Sequence, residues 1–504
     1  MNFFKQIASS FNKPNVEFSK FDMSHEHKTT MRLGELVPVL CEEVLPGDQW
    51  HINANSFVRT MPLLSPMMHK VDLKMRFFFV PNRLIWDDWE RFISDGSKDG
   101  KEIFVPVIDI SDAQDGDPAQ ESIGRMTGKG SLINYFGFGG SSQVSKSISQ
   151  LPFRAYDLIK REYFLNQAVS ADSVVSPYDG PKYYNKFGDS MLLAQPKDGY
   201  EEFLLPASVP FEPDYFTSCL PTPNASMSGV YIQKGGVTLD EQAAVRNSLY
   251  GSNDQNIAVS TVTDLRNAFR LQSFLENSLR TGKRYVEQLM AHFGVESSDS
   301  RLQRPEYLGG GQLAVQVSEV ASTSESSKIQ LGDLAGRGLS VGSFGDINFT
   351  SEEHGFIFGL AYIVPHTSYF GGIPRTFLRH ERLDFAFPEF ATLGEQPVFT
   401  TELDVSADEN KIFGYVPRYS EYKQSLDKFS GDMVKSLAFW HLGRNLKGAN
   451  PVLGDKFIYI TDQARKEFNR VFGFSGSDGH PFICSFGFNS SAVRPLPFNP
   501  QTIF

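Results

Sequence analysis

Residues 71–80, VDLKMRFFFV, constrain the fold more than any other part of the chain. Val71, Leu73, Met75, Phe77 and Phe79 alternate with Asp72, Lys74 and Arg76, and a period of two puts the first set on one face of a strand and the second on the other. Pro81 stops the run. A strand of this kind needs partners, and the chain offers them at very unequal intervals. ELVPVLCEEV (35–44) reads as extended and leads into a Pro46-Gly47-Asp48 turn, after which INANSFVRT (52–60) is a further strand. QLAVQVSEVAST (312–323) alternates, and GFIFGLAYIVP (355–365) is continuously apolar, as a strand covered on both faces should be. VFTTEL (398–403) and KFIYIT (456–461) are shorter candidates. The tail SSAVRPLPFNPQTIF (490–504) is broken by proline and reads as extended. Phenylalanine outnumbers tryptophan 44 to 4, and there are 42 Gly and 28 Pro, a mixture that suits pleated sheets joined by many turns.

Helices are few and sit between strands. NRLIWDDWERFISDG (82–96) places Ile85, Trp86, Trp89, Phe92 and Ile93 on one face and closes at Gly96. LPFRAYDLIKREYFLN (151–166) opens at Pro152 and repeats Phe153, Tyr156, Ile159 and Tyr163 at helical spacing. The longest helical stretch is 262–294, with Leu265, Phe269, Gln272, Leu275 and Leu279 on one side before Gly282 and a second segment ending at Gly294. No internal repeat is evident. Strands spread over the whole length with such uneven spacing imply one sheet system whose connections have grown. The expected organisation is an arm over 1–30 and a single domain over 31–504, with a polar insertion at 224–261 followed by the helical segment.

Chemistry is scarce. HExxH, GxxxxGK[ST] and a helix-opening GxGxxG are all absent, so no cofactor is implied and an enzyme is not the expectation. His25 and His27 lack a third ligand at a readable spacing, and Glu352-Glu353-His354 fits an ion-pairing turn. The glycines of GDLAGRGLSVGSFGD (332–346) suggest a flexible loop, because no Lys-Ser/Thr pair follows to hold a phosphate. Cys41, Cys219 and Cys484 are far apart and read as reduced thiols. No apolar run reaches the eighteen residues of a membrane span, and the first eighteen residues lack a signal-peptide core.

Charge separates the possible partners. The net charge of −11 is wrong for a chain that wraps nucleic acid alone, yet residues 1–32 carry +2 and residues 441–504 carry +3. Lys5, Lys13 and Arg494, within those ends, are the candidates to face DNA. Phe3, Phe4 and Phe11 of the arm could anchor it in another subunit. In RTFLRHERLDF (375–385), Arg375, Arg379 and Arg382, with His380 beside them, suit ion pairs across a subunit interface.

Several segments, in order along the chain, carry a resemblance. FDMSHEHKTTMRLGELVPVLCEEVLPGD (21–48), RTMPLLSPMMHKVDLKMRFFFVPNRLIWDDWERFI (59–93), LPFRAYDLIKREYF (151–164), DYFTSCLPTP (214–223), VESSDSRLQRPEYLGGG (295–311), SEEHGFIFGLAYIVP (351–365) and FPEFATLGEQPVFTTEL (387–403) resemble the major capsid proteins of the Microviridae, gokushovirus branch. The resemblance implies a mainly β fold, an eight-stranded antiparallel jelly roll with large loop insertions carrying short helices. It implies a bacteriophage coat protein that forms a homo-oligomeric T=1 icosahedral shell around circular single-stranded DNA. A small basic DNA-binding protein would neutralise the genome, a bacterial surface receptor would be met outside, and assembly in the host cytoplasm would place the protein in the virion. It also implies that 224–261 is a variable surface insertion at the threefold axes. A jelly-roll carbohydrate-binding protein or glycoside hydrolase is the alternative, and would need an aromatic cleft or two facing carboxylates.

Overall fold

The computed structural model describes residues 17–94, 97–98, 101–110, 129–138, 146–166, 191–192, 205–222, 290, 298–321, 334–392, 394–408, 411–473 and 479–498. Two antiparallel sheets dominate. The first runs β1 (Ser19–Asp22), β12 (Phe482–Arg494), β4 (Gln49–Thr60), β8 (Leu334–Thr350) and β7 (Gln316–Ala321), and β2 (His25–Met31) pairs with β12 beyond β1. The second runs β6 (Glu306–Ala314), β5 (Val71–Pro81), β9 (Gly355–Pro365) and β3 (Val37–Val44). β10 (Glu395–Phe399) and β11 (Ile412–Pro417) form a separate hairpin.

The pattern of two accounts for the first sheet. Along β12, Phe482, Cys484, Phe486 and Phe488 are buried while Ile483 and Asn489 face out. Trp50, Ile52, Ala54 and Val58 of β4 turn inward beside them. Phe349 of this sheet meets Phe79 of the other at 4.7 Å between ring centroids, and residues of both sheets belong to one continuous core. β6 passes into β7 through Val315, whose N–H still bonds to the Val71 carbonyl, so pairing moves from the second sheet to the first.

The central strands of the second sheet, β5 and β9, are covered on both sides. β9 is buried at every position but Tyr362, as its apolar run predicts. On β5 the alternation holds from Leu73 to Phe77, but Asp72, Phe78 and Val80 on the opposite face are buried as well. Phe78 packs on Tyr163 at 4.7 Å and on Tyr307 at 5.5 Å. The cover is the segment that opens at Pro152: an α-helix over Leu151–Ile159, continued as a π-turn over Lys160–Phe164. Tyr156 fastens it, donating its hydroxyl to the Leu36 carbonyl and accepting the Ala207 N–H, both at 2.8 Å.

Several expectations are corrected. The glycine series in 332–346 is not a loop: it forms most of β8, the longest strand. Its glycines allow close packing, since a Cβ on Gly336 would lie 2.4 Å from the Ser65 carbonyl oxygen and one on Gly342 2.6 Å from Leu313. Only the first half of KFIYIT is helical, within Asp455–Ile458, because the Gly454 carbonyl starts a turn there; Tyr459 then makes an isolated bridge to Pro210. VFTTEL is strand only to Phe399, then one 3-10 turn. The single helix expected over 82–96 is two, α1 (Asn82–Ile85) and α2 (Trp89–Ser94), with an extended Trp86 between them. Trp86 and Trp89 are half-buried and stack on each other and on Phe92, while Ile93 is exposed. The second half of the expected arm, 19–31, is sheet edge, held where Ser24 and Ser490 exchange hydrogen bonds. Residues 1–16, the 224–261 insertion and 262–294 apart from Met290 lie outside the described residues.

Candidate assembly surface

The segment between Phe370 and β10 contains three one-turn 3-10 helices, Arg375–Phe377, Arg382–Asp384 and Pro388–Phe390. Between them they turn apolar side chains outward: Phe377 is 74% exposed, Leu383 60% and Phe385 51%. Tyr422 and Leu426, on the neighbouring chain segment, extend the patch. An exposed ridge of this size would be costly to leave in water, and such patches mark contact sites.

The ridge is held from beneath by charge. Arg375 pairs with Glu402 at 2.9 Å and Glu421 at 3.8 Å, and donates to the Pro397 carbonyl at 2.7 Å. Arg379 pairs with Glu421 at 3.2 Å, and its guanidinium lies 4.5 Å from the Tyr422 ring centre and 5.7 Å from that of Phe385. Burial pushes the Glu402 carboxyl above its ordinary range, against the pull of Arg375. Hydrogen bonds from the Glu381 and His380 N–H groups hold Asp384 below its usual value, so that carboxylate clamps the second turn. The Tyr419 hydroxyl accepts the Phe387 N–H at 3.2 Å. The ridge therefore rests on a fixed base.

Two of the three candidate arginines have partners within the chain. Arg375 and Arg379 find their carboxylates within the chain, because Glu402 and Glu421 come from elements folded directly under them. Arg382 is exposed over Phe387 at 5.8 Å, and His380 is exposed. The contact surface beside them is apolar, and the sequence signal for it was the set of phenylalanines and leucines interleaved with those arginines. Arg494 is likewise engaged: it lies 3.3 Å from the fully buried Asp48 carboxylate, donates to the Glu43 carbonyl at 2.8 Å and covers the Trp50 ring at 5.0 Å. Phe3, Phe4, Phe11, Lys5 and Lys13 lie outside the described residues.

The remaining candidates resolve into structural roles. Glu353 of the expected ion-pairing turn takes Arg83 in a fork, at 2.6 and 3.0 Å. His27 bonds to the Val39 carbonyl, and His25 lies 4.0 Å from Glu42. Among the described residues no group of three or more His, Cys, Asp or Glu side chains is placed to hold a metal. Cys219 and Cys484 are buried and Cys41 half-buried, and burial raises all three thiols. Of the three carboxylates lining the cavity beside Arg375, Glu402 and Glu421 both face its guanidinium as ion-pair partners, and Asp427 lies 3.7 Å from His366.

The family model described as "Capsid protein (F protein)" matches residues 9–504. The chain is 31% identical to capsid protein VP1 of Bdellovibrio phage phiMH2K, over 95% of this chain and 94% of that one. It is 30% identical to capsid protein VP1 of Chlamydia phage 1, over 96% and 95%, and 25% identical to that of Spiroplasma virus 4, over 97% and 96%. With both sheets and the ridge inside the matched span, the chain belongs to the phage capsid protein (F protein) family, whose members are structural proteins of the virion.

Proposed function

We propose that this capsid protein closes into a T=1 icosahedral shell of identical copies around circular single-stranded DNA, with an eight-stranded jelly roll as its building block. The strand order supports the jelly roll. With β1 and β2 counted as one bent strand and β7 as the continuation of β6, each sheet has four principal members, and the first described strand pairs with the last. β7 then continues β6 onto the opposite sheet.

The observation that carries shell-building is the apolar ridge over 377–385, fixed by Arg375 and Arg379 and left uncovered by the chain's own described residues. The acidic balance of −11 assigns most genome neutralisation to a separate small basic protein, with Lys5 and Lys13 as the chain's own candidates at the DNA face. Phe3, Phe4 and Phe11 remain candidates to anchor the arm on a neighbouring copy, and the 224–261 insertion to lie at the threefold axes near the bacterial receptor. Electron microscopy of the expressed protein, with single-stranded DNA and the basic protein supplied, tests this reading. Closed particles of uniform diameter are expected; a monodisperse monomer under those conditions would contradict it.

A further inference from the structure

The surface around the ridge has two halves of opposite character. At the ridge and just past it Glu381 and Glu389 are exposed, and exposed Arg382 and Asp384 between them offset each other. Tyr422 leads into residues 423–428, a strap whose exposed Lys423 and Lys428 outnumber its one acid, Asp427, which lies 3.7 Å from His366. Glu381, Glu389, Lys423 and Lys428 belong to no ion pair among the described residues. Between ridge and strap lies a cavity of about 240 Å³ with Phe216, Tyr369, Phe370, Thr376 and Leu426 in its walls. Its aromatic floor offers a desolvated seat for an apolar side chain. The ridge and the cavity meet at Arg375 and Thr376, so they are neighbours on one face of the molecule.

We infer that this face binds a second copy of the chain about a two-fold axis passing near Thr376, the ridge of each copy seating on the cavity and strap of the other. This inference rests on the reading of the ridge as a shell contact and adds its symmetry and its partner residues. A two-fold contact uses one patch twice, and so requires a patch that is complementary to itself. This face meets that requirement twice over. Exposed Phe377 stands beside a cavity with room for an aromatic ring, and Glu381 and Glu389 are matched in sign by Lys423 and Lys428. Rotation by half a turn brings each acidic ridge to the other copy's basic strap. A head-to-tail contact would separate the two halves to different faces of the subunit.

Charge reversal tests this on the full-length protein, by native mass spectrometry below the concentration at which shells close. Lys423→Glu with Lys428→Glu, and separately Glu381→Lys with Glu389→Lys, should each weaken self-association by about tenfold or more, because both ends of the contact then carry like charges. An equimolar mixture of the two variants should restore association as a heterodimer containing one copy of each. Wild-type association by either variant alone, or rescue only as rings of three or five copies, would overturn the two-fold assignment. The shell-building reading would survive that result, since its own tests are particle formation by the wild type and loss of particles when the apolar ridge is removed.

Discussion

At the scale of single residues, two carboxylates show how charge is managed away from water. Glu402 is 8% exposed, and Arg375 is its nearest cation. Arg375→Ala should therefore cost about 3–5 kcal/mol, measured by denaturant or thermal unfolding, because it leaves a buried charge unpaired. The sign of the pH dependence follows from the direction of the shift. An acid whose folded pKa is raised destabilises the fold while ionised, so the penalty in Arg375→Ala should shrink as pH falls and Glu402 takes up a proton. Asp404 is the opposite case. Burial works to raise its pKa, but hydrogen bonds from the Ser406 hydroxyl and from the N–H groups of Gly448, Asn450 and Ser406 prevail and hold it far below the ordinary range. Its contribution is complete above the unfolded carboxylate value of about 3.9 and is lost as pH falls through the lowered folded one. The melting temperature of wild type should drop more steeply than that of Asp404→Asn between about pH 4 and pH 2; parallel curves would assign the acid sensitivity elsewhere.

At the scale of elements, β8 is the sharpest test of packing. Gly336→Ala would bring a methyl within 2.4 Å of the Ser65 carbonyl oxygen, whereas Gly487 on β12 has open space around it. The first substitution should destabilise by about 1–3 kcal/mol and the second by much less, as read from unfolding midpoints. Trp86→Ala should cost about 1–3 kcal/mol, short of a fully buried tryptophan, since Trp86 is half-buried and packs chiefly on Trp89 and Phe92. β8 also shows why part of the fold was hidden in the sequence. Periodicity exposes strands whose faces differ in polarity, and β5 and β4 were legible for that reason. Glycine tells nothing of face, so a strand built on Gly336, Gly338 and Gly342 looks like a loop until Ser65, Thr60 and Leu313 are seen against it. The same limit applied to the assembly surface. Arg375 and Arg379 stood out in RTFLRHERLDF, but whether their carboxylates belong to the same chain depends on where β10 and the 419–422 turn fold, which no local pattern records.

At the scale of the whole molecule, the two sheets share one core, and the ridge carries some of the most exposed large apolar side chains among the described residues. Both sheets are built from strands outside 224–261. Deleting most of that stretch should leave the thermal transition unchanged while altering contacts between copies, visible by cryo-electron microscopy of particles. Loss of the folded monomer would make the stretch part of the core instead. In the proposed shell, Phe377, Leu383 and Phe385 are covered by another copy. Sedimentation velocity of the combined variant Phe377→Ser, Leu383→Ser and Phe385→Ser, beside wild type, tests that contact most directly. The expected result is a folded subunit with an unchanged melting temperature that no longer forms particles; particles of wild-type size and yield would contradict it.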